Sequence, residues 1–377
     1  MLGVAAFLLW RASRRDLPVS SSSEHDLRAL GLLAYLWAYG RAERIPPDLR
    51  SPFDAADIWV RKPNPLPHLV AVQFESFFDA RTLYSGIRTD ILAGFDAIRA
   101  ESSGHGALAV SAWGGNTVRA EFAFLTGVNE DNLGVHRFNP YRSIARARYT
   151  VSSLPMFLKR LGYRTICIHP YWARFYFRDR VFRQLGFDEF LDIKSFAGAR
   201  RYGPYVADTE VGEKIIRVLR KAVAPTFVFA ITMESHGPLH LERVQPSDVA
   251  ELYTTPPPPG CDVLTIYLRH LRNTDETLRS LHSAFMTLNA PVEFCCFGDH
   301  VPIMPEAYAI LGSPEGTVPY LWWSNQQHRD DSQPKFPALD SINVWNSQAS
   351  CDAESPLPVH LMTPAWLRAI QTARVGR

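Results

Sequence analysis

Cysteine is scarce in this chain, long apolar runs are missing and the charge is close to balanced. Five cysteines in 377 residues are too few for a disulfide framework to hold a chain of this length. Cys295 and Cys296 fall in an apolar run and read as buried thiols. Cys261 and Cys351 fall in loop-like segments, and nothing requires them to pair. A net charge of +2, with no basic stripe interleaved with aromatics, gives no basis for nucleic-acid binding. No internal repeat is present. The apolar stretch Met1–Trp10 falls well short of the roughly 20 residues that a membrane-spanning helix needs. Arg11, Arg14 and Arg15 follow it instead of preceding it, the wrong order for a signal peptide. It reads either as the tail of a longer membrane segment or as a small surface anchor.

What is there supports a large folded domain. Hydrophobic residues make up 46% of the chain, enough for one large α/β domain with additions or for two smaller ones. Ser20–Ser23 reads as a linker. Leu27–Tyr39 carries a helical pattern with Trp and Tyr gathered at one end, which fits a juxtamembrane or interfacial helix, or a helix packed on the main domain. Ile45-Pro46-Pro47 and the proline cluster at Lys62–Pro67 then punctuate the chain, so the globular domain is expected to start near His68. Beyond it, strand-length apolar runs alternate with helical patterns. Strands are expected at Leu69–Phe74, Ala107–Trp113, Thr165–Ile168, Thr226–Thr232, Phe294–Gly298 and Thr317–Trp323. Helices are expected at Thr89–Ala100, Thr117–Leu125, Leu154–Leu161, Phe175–Leu185, Asp208–Val223 and Val263–Leu288. The alternation predicts a three-layer α/β/α fold on a mainly parallel sheet. The expected layout is an apolar segment and linker at 1–23, a juxtamembrane-type helix and Pro-rich linker at 24–67, and a main domain at 68–325. A loop-rich extension at 326–377 packs on that domain and ends in a helix at Pro364–Arg374.

Three of the strands end in reactive groups. Phe294–Gly298 runs straight into Asp299-His300, Leu69–Phe74 into Glu75-Ser76-Phe77, and Ala107–Trp113 into Gly114-Gly115-Asn116-Thr117. Open α/β sheets bind ligands at the carboxyl ends of their strands. A carboxylate beside an imidazole there can hold a hard or borderline divalent metal. A threonine opening a helix lies among N–H groups that bind anions, and its hydroxyl becomes a nucleophile when a metal lowers its pKa. Each residue also has a plainer reading. Thr117 or Asn116 can cap a helix, Glu75 can be an N-cap or a surface carboxylate, and Asp299 with His300 a satisfied buried pair. His236 can be a turn residue in Ser-His-Gly-Pro, and Arg178 with Asp179 an exposed helical charge cluster. Jointly, the plain readings require many reactive groups to gather at one sheet edge by chance.

The order Glu-Ser-Phe at 75–77, then Gly-Gly-Asn-Thr-Val-Arg-Ala-Glu-Phe-Ala-Phe-Leu-Thr-Gly at 114–127, resembles the lipoteichoic acid synthase and phosphoglycerol transferase branch of the alkaline phosphatase/sulfatase superfamily. Ser153–Thr165, Phe175–Asp179 with Gly186–Phe190, Thr232–Pro238 and Gly298–His300 match in the same order, so the resemblance covers roughly residues 68–323. It implies a sulfatase-like catalytic domain with one divalent metal, Mn2+ or Mg2+ with Zn2+ as an alternative, bound by Glu75, Thr117, Asp299 and His300. It implies that Thr117 attacks a phosphodiester to form a phosphoglycerol-threonine intermediate. Tyr176, Arg178 and His236 would hold the glycerol phosphate, with Arg178 bidentate on phosphate oxygens. His236 would either bond the glycerol or protonate a leaving oxygen. The family commonly has Trp at the position of Tyr176. The implied partners are a phosphatidylglycerol-like phospholipid donor, a glycan or lipid acceptor and a membrane surface. The implied location is membrane-associated, with the catalytic domain periplasmic or extracellular. Thr117-Val118-Arg119 stands where sulfatases carry Cys-x-Pro-x-Arg, which argues against formylglycine-dependent sulfate-ester hydrolysis. No further Asp-x-x-x-His set points to a second metal, which leaves His169 and His360 as candidate additional ligands. The competing activities are phosphoethanolamine transfer, which usually comes with several disulfides, hydrolysis of a phosphodiester, and a degenerate glycan-binding scaffold.

Overall fold

The computed structural model describes residues 17, 19–20, 22–55, 63–110, 114–146, 149–326 and 355–375. The main-sheet strands are β1 (His68–Phe74), β2 (Gly104–Ala109), β3 (Arg164–Ile168), β4 (Glu189–Leu191), β7 (Thr226–Ile231), β8 (Val292–Gly298), β9 (Thr317–Ser324) and β10 (Leu357–Pro358). A separate antiparallel pair is formed by β5 (Arg201–Tyr202) and β6 (Tyr205–Val206). The main sheet has the order β10-β2-β9-β8-β1-β7-β3-β4. Strands β8, β1, β7, β3 and β4 run parallel. β9 runs against both β8 and β2, so β2 and β10 point the same way as β8. Continuous apolar runs suit parallel strands covered on both faces, and β1, β7 and β8 are buried along almost their whole length.

Helices α1 (Ser23–Leu30) and α2 (Leu32–Ala42) precede the sheet. Within and after it come α3 (Ala93–Glu101), α4 (Val118–Thr126), α5 (Pro140–Ala145), α6 (Leu154–Arg160), α7 (Arg178–Gln184), α8 (Asp208–Arg220), α9 (Asp248–Leu252), α10 (Asp262–Thr287), α11 (Pro305–Leu311) and α12 (Val359–Val375). Aromatic contacts show which face two of them cover. Phe124 of α4 stacks on Phe297 at 4.8 Å and on Phe229 at 5.5 Å. Phe285 of α10 meets Phe294 at 5.7 Å. Phe294 and Phe297 lie an odd number of residues apart on β8, so they point to opposite faces of the sheet. α4 and α10 therefore cover opposite faces, α12 packs on α4, and α3 and α8 pack on α10. This is the expected three-layer arrangement.

Several expected elements change shape. The single helix at Leu27–Tyr39 is two helices, because Gly31 takes a positive φ of 73° between them. The second strand spans Gly104–Ala109, and of it only Leu108 is buried. Ser111–Trp113 lies outside the described residues. The helix expected at Phe175–Leu185 is a short 3-10 turn followed by α7, because Tyr176 and Phe177 both adopt left-handed backbone. The C-terminal helix begins at Val359, before Pro364. Val359, Met362, Trp366 and Ile370 are buried at helical spacing, and that burial overrides the proline. The segment before it adds β10 to the main sheet. Met1–Trp10, Cys351 and residues 327–354 lie outside the described residues. Among the described residues no helix is long and apolar enough to cross a membrane.

Strand register sets the site. Phe74 pairs with Gly298, and Gln73 with Ile231. Glu75 and Asp299 therefore leave adjacent strands at one level, and the Thr232 hydroxyl, one residue lower beyond β7, accepts from the Glu75 N–H at 3.1 Å. Gly298 is required there: a Cβ would stand 2.2 Å from the Phe77 carbonyl oxygen. Gly298→Ala is expected to push the end of β8 away from that turn, costing about 1–3 kcal/mol in chemical denaturation. It should also weaken divalent-metal binding in isothermal titration while the circular dichroism of the fold is retained.

Candidate active site

Glu75, Asp299 and His300 are buried together, with candidate ligand atoms all within 4.8 Å of one another. Ser76 organises them. Its backbone N–H donates to Asp299 Oδ1 at 2.8 Å and its hydroxyl to Glu75 Oε1 at 3.0 Å. To do so Ser76 adopts φ 53°, a costly value for a non-glycine residue. The Tyr267 hydroxyl fixes that turn by donating to the Ser76 carbonyl at 2.7 Å and accepting from the Phe78 N–H at 3.0 Å. His300 Nδ1 faces the Val301 carbonyl at 3.2 Å. Its Nε2 is thus turned toward the carboxylates, 3.2 Å from Glu75 Oε1 and 3.5 Å from Asp299 Oδ2.

The electrostatics of this cluster call for a cation. Burial would raise the Glu75 carboxyl, but the neighbouring His300 and His236 hold it below the usual carboxylate range. Burial, with Glu75 alongside, pushes Asp299 up. Burial would lower His300, yet Asp299 and Glu75 raise it to about 9. Asp299 Oδ2 and His300 Nε2 are buried and have no hydrogen-bond partner; they attract each other without the alignment of a bond. Unpaired donors and acceptors at such depth are costly, and a divalent metal is the group that two carboxylates and an imidazole Nε2 would satisfy.

Thr117 joins them. It stands at the N-cap of α4, but its side chain makes no capping hydrogen bond. Its hydroxyl lies 3.4 Å from Glu75 Oε2 instead. The preceding turn needs left-handed backbone at Gly114 (φ 60°) and Asn116 (φ 68°), and the Asn116 side chain donates to the Phe138 carbonyl at 3.0 Å. The plain capping role is therefore filled by neither residue. The structure brings Glu75, Thr117, Asp299 and His300 to one point.

Arg178 is buried, not part of an exposed charge cluster. Its Nη2 donates to Glu121 Oε2 at 2.7 Å and its Nε to Glu121 Oε1 at 3.1 Å. Glu121 also accepts from the Tyr141 hydroxyl at 2.7 Å. Glu121 thus occupies one edge of the guanidinium and leaves the Nη1–Nη2 edge for a ligand. The Tyr176 ring lies 5.4 Å from the Arg178 guanidinium carbon. His236 is half-buried, with Nδ1 2.6 Å from the Gly237 carbonyl and 3.1 Å from the Tyr205 hydroxyl, which frees its Nε2. His169, at the end of β3, is buried with Nδ1 on the Ile231 carbonyl at 3.2 Å and Nε2 unpartnered. Burial and the nearby Arg178 hold it neutral. His169 shares the sheet edge but is not in the metal cluster. His360 sits on α12 close to Gly127, beyond the far end of α4 from Thr117, so it is no ligand.

Behind His236 lies a buried polar network. His270 meets Glu234 Oε1 through Nδ1 and Glu242 Oε1 through Nε2, both at 2.9 Å. Asn273 also donates to Glu234 at 2.6 Å, and the Asp208 N–H bonds its other oxygen at 2.8 Å. Burial would lower the His270 pKa, but the two carboxylates raise it to about 9. The same burial, with Glu234 beside it, pushes Asp208 up.

A parallel sheet with this residue set at its carboxyl edge defines the alkaline phosphatase/sulfatase class of folds. The chain belongs to the sulfatase family, whose model matches residues 67–345. It is 32% identical over 241 residues to the capsular polysaccharide biosynthesis protein RkpI of Rhizobium meliloti (strain 1021), covering 63% of this chain and 42% of that protein. The chain thus spans less than half the length of this curated relative. Among solved structures it is similar to the Streptococcus pyogenes phosphoglycerol transferase GacH in complex with sn-glycerol-1-phosphate, with a TM-score of 0.63 and 20% identity over 82% of this chain and 79% of that one. It is also similar to the C-terminal periplasmic domain of EcEptC from Escherichia coli in complex with Zn, with a TM-score of 0.57 and 19% identity over 86% and 85%. At these identities the solved structures bear on the fold alone.

Two predictions follow from the geometry. Glu121→Leu leaves Arg178 buried without its partner and is expected to cost about 3–5 kcal/mol in chemical denaturation, whereas Glu121→Leu combined with Arg178→Met recovers most of that loss. The second concerns pH. His270 titrates near 6.5 when unfolded and near 9 when folded. Its ion triad therefore contributes fully below about pH 6.5 and fades as pH rises toward 9. The melting temperature should fall across that window, and His270→Gln should flatten the fall.

Proposed function

We propose that this chain is a metal-dependent phosphotransferase. It moves a phosphoglycerol-type group from a membrane phospholipid to a cell-envelope glycan or lipid acceptor through a phospho-Thr117 intermediate. The observation that carries the reading is the Thr117 hydroxyl, released from capping and set against a buried cluster with unpaired ligand atoms. Glu75, Thr117, Asp299 and His300 would hold one divalent ion, Mn2+ or Mg2+ with Zn2+ as an alternative, which when bound supplies positive charge that lowers the hydroxyl pKa and offsets charge on the phosphate.

The chain's own residues supply the rest. Thr117 Oγ attacks phosphorus, the bond from phosphorus to the diacylglycerol oxygen breaks, and the threonine carries the phosphoglycerol group. An acceptor hydroxyl then attacks the same phosphorus and frees Thr117. Arg178 offers its remaining edge to phosphate oxygens, aimed by Glu121. His236, through its free Nε2, either bonds the glycerol or protonates the departing oxygen. Tyr176 lines the glycerol side. A lipid donor and an envelope acceptor meet at the outer face of a membrane, so the proposed location is membrane-associated with this domain periplasmic or extracellular. Leu32, Leu33 and Leu36 on α2, at 60%, 83% and 56% exposure, suit the juxtamembrane role.

The test is intact-mass and peptide mass spectrometry after incubation with phosphatidylglycerol and Mn2+, with Thr117→Ala and a chelated sample as controls. A glycerol-phosphate adduct on Thr117, absent from both controls, is expected. Intact lipid and no adduct would overturn the phosphoglycerol assignment, and an adduct from phosphatidylethanolamine instead would make the chain a phosphoethanolamine transferase.

A further inference from the structure

The segment between His169 and Arg178 does more than carry Tyr176. Tyr176 and Phe177 take left-handed backbone, with φ of 54° and 60°. The Phe175 and Tyr176 rings stay packed together, 4.4 Å between centroids. Tyr176 faces Arg178, while Trp172, Phe175 and Phe177 are 61%, 45% and 43% exposed. Exposed large apolar side chains also follow the other site-bearing strands: Leu241 after β7 and Ile303 after β8, at 69% and 62%. All five lie on segments leaving the carboxyl ends of strands, the edge that holds the site. At the opposite edge the described residues show only scattered cases, Val223 before β7 and Met286 before β8. Singly exposed apolar residues need no explanation, but several around one mouth do.

Charge adds to the pattern. Arg174 in the same segment and Arg180 in the first turn of α7 are exposed, and among the described residues neither has a carboxylate within ion-pair reach. Aromatic side chains interleaved with unpaired arginines match the chemistry of a bilayer surface, where rings lie at headgroup depth and cations meet anionic lipid. A sugar platform would also use exposed rings, but Leu241 and Ile303 have none to stack.

We propose that Trp172, Phe175, Phe177, Leu241 and Ile303, with Arg174 and Arg180, form a rim that seats the mouth of the site on an anionic phospholipid surface. The inference deepens the proposed function and rests on its lipid donor. It commits to one occupant, the bilayer from which that donor is drawn.

The experiment attaches an environment-sensitive fluorophore to the full chain carrying Phe177→Cys and Cys351→Ser. Cys167, Cys261, Cys295 and Cys296 are buried and will not compete for label. The control carries Val223→Cys, at the opposite edge, in place of Phe177→Cys. Vesicles of phosphatidylglycerol and phosphatidylcholine are expected to shift the emission at position 177 to the blue and to leave position 223 unchanged. Adding Arg174→Gln and Arg180→Gln should raise the lipid concentration needed by about tenfold or more. No shift at 177, or equal shifts at both positions, would overturn the proposal, as would a shift caused by envelope glycan but not by vesicles. Because the label reads position 177 alone, any anchoring by other parts of the chain does not produce the signal. A shift at 177 in protein that forms no Thr117 adduct would sink the phosphoglycerol reading and leave the rim standing.

Discussion

The rest of the structure depends on two carboxylates being buried side by side. Glu75 and Asp299 follow adjacent parallel strands in a register that pairs Phe74 with Gly298, so neither can withdraw without shifting the sheet. Like charges in a low-dielectric interior repel, and the surrounding groups are those needed to hold them: the Ser76 N–H on one, the Ser76 hydroxyl on the other, and His300 facing both. A core built for stability alone would fill this position with apolar side chains. The left-handed Ser76 and the unpaired Asp299 Oδ2 are further costs at the same point. Their concentration in one place is the physical signature of a site made for a cation.

The wall facing this cluster is built on different terms. Arg178 comes from a helix end and a strained turn, not from a strand, and is held by a second buried charge. Glu121 lessens the net positive charge that Arg178 presents, but it fixes the direction of the guanidinium, and direction is what distinguishes arginine from a mobile lysine. Tyr141 secures Glu121 in turn, so the hold on Arg178 passes through α4, the helix that Thr117 opens. On the proposed reading, nucleophile and phosphate-binding cation are thereby tied to one rigid element.

This division explains what was legible in the sequence. Strand-borne groups were readable because a buried parallel strand is a continuous apolar run, and a carboxylate directly after such a run is conspicuous. Glu75, Asp299 and His300 follow that pattern, and Thr117 follows a turn of Gly-Gly-Asn. The three-layer fold was readable for the same reason. The second strand was less so, since only Leu108 of it is buried, and an apolar run there does not mark the strand's limits. Supporting residues left weaker signals. Glu121 could have been found as the one acid in the apolar segment Val118–Thr126. Tyr267 and His270 could not, because a polar residue on a long amphipathic helix looks the same whether it is solvated or turned toward a site. The two left-handed residues at Tyr176 and Phe177 carry no glycine to announce them, so a single helix was the natural expectation.

The depth of the site restricts what can reach it. Thr117 is 8% exposed and Asp299 2%, so on the proposed reading a lipid phosphodiester enters headgroup first. On the proposed reading its acyl chains stay outside, at the level of the rim. An apolar tail left in water there would forfeit the burial it had in the bilayer, at about 0.8 kcal/mol per methylene. Drawing a whole lipid out to meet a polar mouth would therefore cost far more than a single phosphate contact returns. A mouth that rests on the bilayer avoids this, because the headgroup rises into the site while the chains remain in lipid. On the proposed reading, the exposed aromatic and aliphatic side chains around the strand ends are what keeps such a mouth on the bilayer.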